Sequence, residues 1–257
     1  MHIQPLSDQS STEILFDSFL IENFQSFDEL MEVYRLYQRQ NPGKTIILTL
    51  DDLGQAAYTC THATMSQGLD DTDGYDLSGL DAACFEDGEH LGYLSTPSEF
   101  FIRKENFFKQ AAGIDFSAAC ERGLAIDEGE IAMLAAINRS PLEFLDKQVM
   151  LMVVPVEKPY EGICGFPNGY FSSDLNPFEN YALAKHLLEK YNLALFGIGA
   201  SLLGFVGSAP LDGHTAKALM ADLSELYDTT EAALGKLLPA IQGKHCLFLK
   251  YIEHLGG

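Results

Sequence analysis

The densest run of groups able to hold a ligand is Asp70-Asp71-Thr72-Asp73-Gly74-Tyr75-Asp76. Four carboxylates in one loop offer the oxygen ligands that a hard cation such as calcium takes from a flexible segment. The EF-hand register fails, because no frame starting at Asp70 or Asp71 places a glycine sixth and a glutamate twelfth. Asp70, Asp71, Asp73 and Asp76 are therefore read as binding residues on an acidic surface, and no metal or other cofactor is expected. Gly197 to Gly204 follows an apolar run as a phosphate-binding loop would, but lacks both the dinucleotide spacing and the P-loop lysine, so a tightly packed hairpin is the expectation. Nucleophilic catalysis has no signature here: neither a G-x-S-x-G elbow nor a cysteine-hydrolase motif occurs. His62, near an expected strand end, and His186, within an amphipathic helix, read as structural or surface residues. Cys60, Cys84, Cys120, Cys164 and Cys246 are scattered without a C-x-x-C pair, which argues against a disulfide framework or a zinc site and for a reducing compartment.

The elements that must position these groups follow from periodicity. Ser26-Phe27-Asp28-Glu29 is a capping box, and Phe27, Leu30, Met31, Tyr34 and Tyr37 recur at helical spacing until Asn41-Pro42-Gly43. Thr45 to Leu50 reads as a strand, Asp51 to Gly54 as a turn, and Ala56 to Thr61 as a returning strand. A similar order recurs about 150 residues on: Asn176-Pro177-Phe178-Glu179 opens a helix to about Tyr191, then Leu193 to Ile198 and Leu202 to Val206 form two short strands. Duplication of a helix-strand-strand unit and coincidence both explain this. Gln67 to Leu91 is an acidic, glycine-punctuated surface loop, Ile126 to Ile137 a helix, and Val149 to Val156 a strand buried on both faces. Ala216 to Tyr227 carries an apolar helical face. Asp228 to Glu231 opens another helix that Pro239 bends or shortens, and Cys246 to Ile252 is a last strand or helical turn. The fold class is α/β (α+β), with a mixed central sheet flanked by amphipathic helices. An acidic region 1–110 precedes a second region 111–257, and one compact domain is the alternative.

The chain has 257 residues, 47% hydrophobic, and a net charge of −21. Such a charge argues against nucleic acid as a ligand. Residues 1–100 carry eighteen acidic and three basic side chains, and no Lys or Arg lies between Lys44 and Arg103. This field favours a basic partner or cations, although an acidic surface also serves solubility alone. Met1 to Ser11 shows no secretory or transit signal, and the glycine-broken run Leu193 to Leu211 reads as buried strands and not as a membrane span, so a cytoplasmic location is expected.

Val154-Pro155-Val156-Glu157-Lys158-Pro159-Tyr160-Glu161, then Gly165-Phe166-Pro167-Asn168-Gly169 and Leu187-Leu188-Glu189-Lys190-Tyr191, resemble a bacterial family, domain of unknown function 4253. The likeness spans about residues 149–211. Tyr160 stands where the family pattern leads one to expect Trp, and the chain has no Trp. The resemblance implies a fold and a bacterial origin but no activity, and it points to Lys158, Tyr160 and Glu161 as binding positions. Two functions are expected: an immunity- or regulator-like protein that binds a basic protein through its acidic half, or a small-molecule enzyme or ligand-binding domain with a pocket near residues 158–169.

Overall fold

The computed structural model describes residues 1–6 and 15–255. The strands are β1 (His2–Pro5), β2 (Ser18–Glu22), β3 (Thr45–Thr49), β4 (Phe85–Glu86), β5 (Glu89–His90), β6 (Leu124–Ala125), β7 (Gln148–Val154), β8 (Leu193–Ile198), β9 (Leu202–Gly207), β10 (Tyr227–Asp228) and β11 (Cys246–Lys250). Seven of them form one mixed sheet in the order β1-β2-β7-β3-β8-β9-β11, while β4–β5 and β6–β10 are two-residue ladders. Every neighbouring pair of the large sheet is antiparallel except β3 and β8, which run parallel. The apolar run read as a central strand is β7, with six of its seven residues buried.

The helices are α1 (Phe27–Gln40), α2 (Leu53–Ser66), α3 (Phe100–Ala111), α4 (Phe116–Glu121), α5 (Glu128–Arg139), α6 (Pro177–Tyr191), α7 (Gly213–Leu226), α8 (Glu231–Leu234) and α9 (Leu238–Ile241). They cover both faces of the sheet, which makes the fold α/β. Phe27 and Tyr34 of α1 pack against Phe196 of β8, and Phe27 also meets Phe248 of β11. On the opposite face a 3-10 segment, Pro159–Gly165, brings Gly162 so close to Ile47 and Thr45 that a Cβ there would lie 2.7 Å from the Ile47 side chain. Helix α6 lies over that segment, and α2 covers part of β7 on the same side.

The caps follow the sequence. Ser26 accepts from the Glu29 amide, and Asn176 accepts from the Phe178 and Glu179 amides while Glu179 returns a bond to the Asn176 amide. The C-terminal helix does not run unbroken from Asp228: Thr230 caps α8, a 3-10 turn intervenes, and α9 begins at Leu238 with Pro239 in its first turn. The uncharged run 193–211 is largely β8 and β9, and no helix of the described residues is long and apolar enough to cross a membrane.

One element is corrected. Ala56 to Thr61, expected as a strand, lies inside α2, where Asp52 caps the Gln55 amide and Ala56, Cys60 and Ala63 bury a stripe of small side chains. The first unit is thus helix-strand-helix and the second helix-strand-strand. What the two share is a capped helix and a following strand, and those strands, β3 and β8, are the parallel neighbours at mid-sheet.

Candidate functional site

The expected site residues fall in separate places. Asp70 is engaged by Arg103, whose Nε and Nη2 donate to its two oxygens at 2.6 Å each. That bidentate pair leaves Asp70 with much of its charge matched. Asp71 Oδ1 accepts from the Asp73 amide at 3.0 Å, and Asp76 Oδ1 accepts from the Ser78 amide at 3.0 Å. Hydrogen bonds from Ser78 hold the exposed Asp76 carboxyl below its ordinary value. The Asp71 and Asp76 carboxylates therefore shape their own turns, and Asp73 takes part through its main-chain amide. Among the described residues no three His, Cys, Asp or Glu side chains converge to hold a metal ion.

Lys158 is exposed, and its main-chain amide donates to Glu161 Oε2 at 3.0 Å, which closes the first turn of the 3-10 segment. Tyr160 sits edge-on to Tyr181 at 5.2 Å, and burial raises its hydroxyl pKa. Glu161, Tyr181 and Lys185 border a shallow groove of about 430 Å³. The rest of the family-like loop, Gly162 to Gly169, is buried.

Two larger cavities flank α2. One, of about 590 Å³, lies on the β2–β7 side, floored by Met150 and Met152 and walled by Cys60, Met65 and Phe166. Asp70, Asp71 and Gly165 also line it, so the acidic loop and the loop after Lys158 do meet, but at other residues than Lys158, Tyr160 and Glu161. Burial pushes the Cys60 thiol up to about 12, which leaves it without the thiolate a nucleophile needs.

The other, a cleft of about 770 Å³, lies beyond the carboxyl ends of β3 and β8. This is where open α/β sheets place ligands, because the connections from neighbouring parallel strands diverge there. Here β3 continues into α2 and β8 folds back into β9. Asp51 ties the two ends together: its main-chain O accepts from the Ala200 amide at 3.0 Å, and its Oδ2 accepts from both the Ser201 amide and the Ser201 hydroxyl. Its Oδ1 is shut from solvent and accepts no hydrogen bond. A side chain at residue 199 would collide with that oxygen, since a Cβ on Gly199 would lie 1.8 Å from it. Burial raises the Asp51 carboxyl pKa against the hydrogen bonds of Ser201. Asp174 also lines the cleft, accepts from the Glu253 amide at 3.0 Å and is likewise raised by burial. The buried Tyr251 hydroxyl lies 2.7 Å from Gly199 O and 2.9 Å from Ala200 O.

Between the two cavities, α2 turns a face to solvent that carries no charge at all: Tyr58, His62 and Met65, with Tyr58 54% and Met65 71% exposed. The His62 ring lies 4.2 Å from Tyr58 and 5.1 Å from Tyr170, and Tyr170 lies 5.3 Å from Phe171. Tyr170 and Phe171 are 40% and 48% exposed, so four rings form a ladder across the surface. None of them was a candidate by motif. The available signal was compositional: Leu53 to Ser66 holds fourteen residues without Lys, Arg, Asp or Glu in a chain of net charge −21.

No family model matches the chain, and no curated protein or solved structure matches it.

Proposed function

We propose that the protein is an interaction protein that docks a basic polypeptide across α2, in the manner of an immunity protein or a regulator. The observation that carries this reading is the uncharged, aromatic outer face of α2. Exposed aromatic groups supply contact area at little entropic cost and are enriched where interfaces hold their binding energy. Their rims match a cationic partner: Asp52 caps the start of the helix, and Asp71 stands beyond its end. Arginine suits such a surface because its guanidinium stacks on tyrosine while pairing with carboxylates. Tyr170 and Phe171 come from the segment that resembles domain of unknown function 4253, so the family likeness and the proposed interface coincide there.

The test compares binding of an arginine-rich peptide with a lysine-rich peptide of equal length and charge. The arginine peptide is expected to bind more tightly, and the double variant Tyr58→Ala, Tyr170→Ala to weaken it about tenfold, the range of a buried aromatic anchor. Both side chains are exposed, so the fold tolerates their loss. Equal affinities for the two peptides together with an unaffected double variant would sink the proposal.

A further inference from the structure

We propose that the cavity between α2 and the paired strands β2 and β7 is a binding site for an uncharged, ring-bearing small molecule. Val154, Met152 and Met150 are alternate residues of β7 and so share one face of the sheet. At Val154 that face is sealed, because a Cβ on Gly165 would lie 2.8 Å from the Val154 side chain. At Met152 and Met150, on the same strand and face, it opens into a space of about 590 Å³. The space is therefore a local feature and not loose packing of the whole layer, since interiors at native density leave few voids larger than a water molecule. Ser18 of β2 lies opposite Met152 and lines the same floor, where its small side chain adds room.

The walls select the kind of molecule that fits. Met65, Met150 and Met152 line the cavity, and unbranched thioethers adapt their shape and pack favourably against aromatic rings. Phe16, Phe166 and Tyr93 add ring surface of their own. Among the described residues the charged groups at the wall are Asp70, Asp71 and Arg103. Asp70 and Arg103 hold each other through two hydrogen bonds of 2.6 Å, and Arg103 is buried. A charged ligand would gain a partner there only by breaking that pair and leaving one member uncompensated in the interior. Asp71 is exposed, and an ion pair in that position contributes little. Burial keeps the Cys60 thiol in its protonated, neutral form. A charged head group would thus lose hydration without gaining a new partner, whereas an uncharged ring system meets apolar walls in a space of small-molecule size.

The cavity borders the α2 interface at Met65 and Asp71, so the test is chosen to separate the two. The fluorescence of N-phenyl-1-naphthylamine, an uncharged probe that brightens in apolar surroundings, is expected to rise saturably with one site per chain. Competition with 1-naphthylmethanol, 1-naphthylmethylamine and 1-naphthoate keeps the ring system constant and changes only the head group. The alcohol should displace the probe, and the amine and the carboxylate should each do so about tenfold more weakly. Ser18→Phe fills the floor with a side chain that strands favour and should abolish probe binding. Tyr93→Ala, at an exposed position, serves as the second variant if the first is poorly folded by circular dichroism, and should weaken the probe about fivefold. The Tyr58→Ala, Tyr170→Ala variant should bind the probe as the wild type does. The inference is overturned by the absence of a saturable signal, by an amine or carboxylate that competes as well as the alcohol, or by a folded cavity variant that binds normally. Displacement of the probe by the arginine-rich peptide, or its loss in the Tyr58→Ala, Tyr170→Ala variant, would overturn it too, because the probe would then report the α2 interface. Failure of the peptide comparison leaves these readouts intact, so the two proposals fail separately.

Discussion

Glu99 shows how a single carboxylate organises a long segment of this chain. It is fully buried, and its Oε2 accepts from the Ser95 and Thr96 amides at 2.7 and 2.8 Å while Oε1 lies 2.7 Å from His90 Nε2. Burial pushes its pKa up, but these donors outweigh burial and hold it below the ordinary value of 4.5. A carboxyl depressed in the folded state contributes stability that is fully present above its unfolded pKa and is lost as pH falls through the folded one. Glu99→Gln should therefore cost about 2 kcal/mol at neutral pH, the worth of a charge-assisted buried hydrogen bond, and the gap to wild type should narrow once the pH drops below about 4. Urea denaturation at both pH values measures this, and a gap independent of pH would refute it. Glu99 was legible only as one acid among eleven in a lysine- and arginine-free interval. Asp51 was equally hidden: Asp51-Asp52 after a β-rich run reads as a turn, and its partners Gly199 and Ser201 lie about 150 residues away. Of the acids that stood out by density, Asp70 is tied by Arg103, and Asp71 and Asp76 by their own turns.

Elements with a strong period or a cap were readable, and those stabilised mainly by tertiary contact were not. Strands β3, β7, β8 and β9 show as apolar runs, and α1 and α6 show through their caps and apolar stripes. Helix α2 read as a strand because Tyr58, Thr59 and Thr61 favour β structure and it has no charged residue to mark a polar face. Its packing surface is the small-residue stripe of Ala56, Cys60 and Ala63, which scores weakly on hydropathy but lets the helix sit close to the sheet. Strands β1 and β2 are short and half-exposed and lie on one side of the sheet, where alternation is faint. The opposite edge is closed by a side chain: Asn138 of α5 donates Nδ2 to Phe248 O and accepts from the Phe248 amide, both at 2.9 Å, as a neighbouring strand would. Asn138 is 4% exposed, so no solvent replaces it. Asn138→Leu is expected to lower stability by about 3 kcal/mol, because it strands a donor and an acceptor in the interior. Asn138→Asp, which keeps the acceptor, should cost differently, and thermal unfolding of both variants separates loss of the edge bonds from loss of volume.

At the scale of the whole molecule, the charge divides the chain and the sheet unites it. Residues 1–100 hold a net charge of −15 and the remainder −6, yet the strands of the two regions interleave. β7, from the second region, lies between β2 and β3 of the first, and β3 in turn lies between β7 and β8. Removing either region therefore deletes an interior strand and leaves its neighbours with unpaired main-chain groups and uncovered apolar faces. The α2 interface and the cleft both depend on this arrangement, since Tyr170 comes to His62 and Ser201 to Asp51 only when β3 and β8 are paired. Fragments 1–110 and 111–257, expressed separately, should lack cooperative thermal transitions, whereas the intact chain should unfold in one step with calorimetric and van't Hoff enthalpies in agreement. A fragment that melts cooperatively by itself would show that part of the sheet is a folding unit of its own. In that case the aromatic ladder and the cleft, which draw on both regions, would form only after the two units dock, and ligand affinity would fall with conditions that separate them before either unit unfolds.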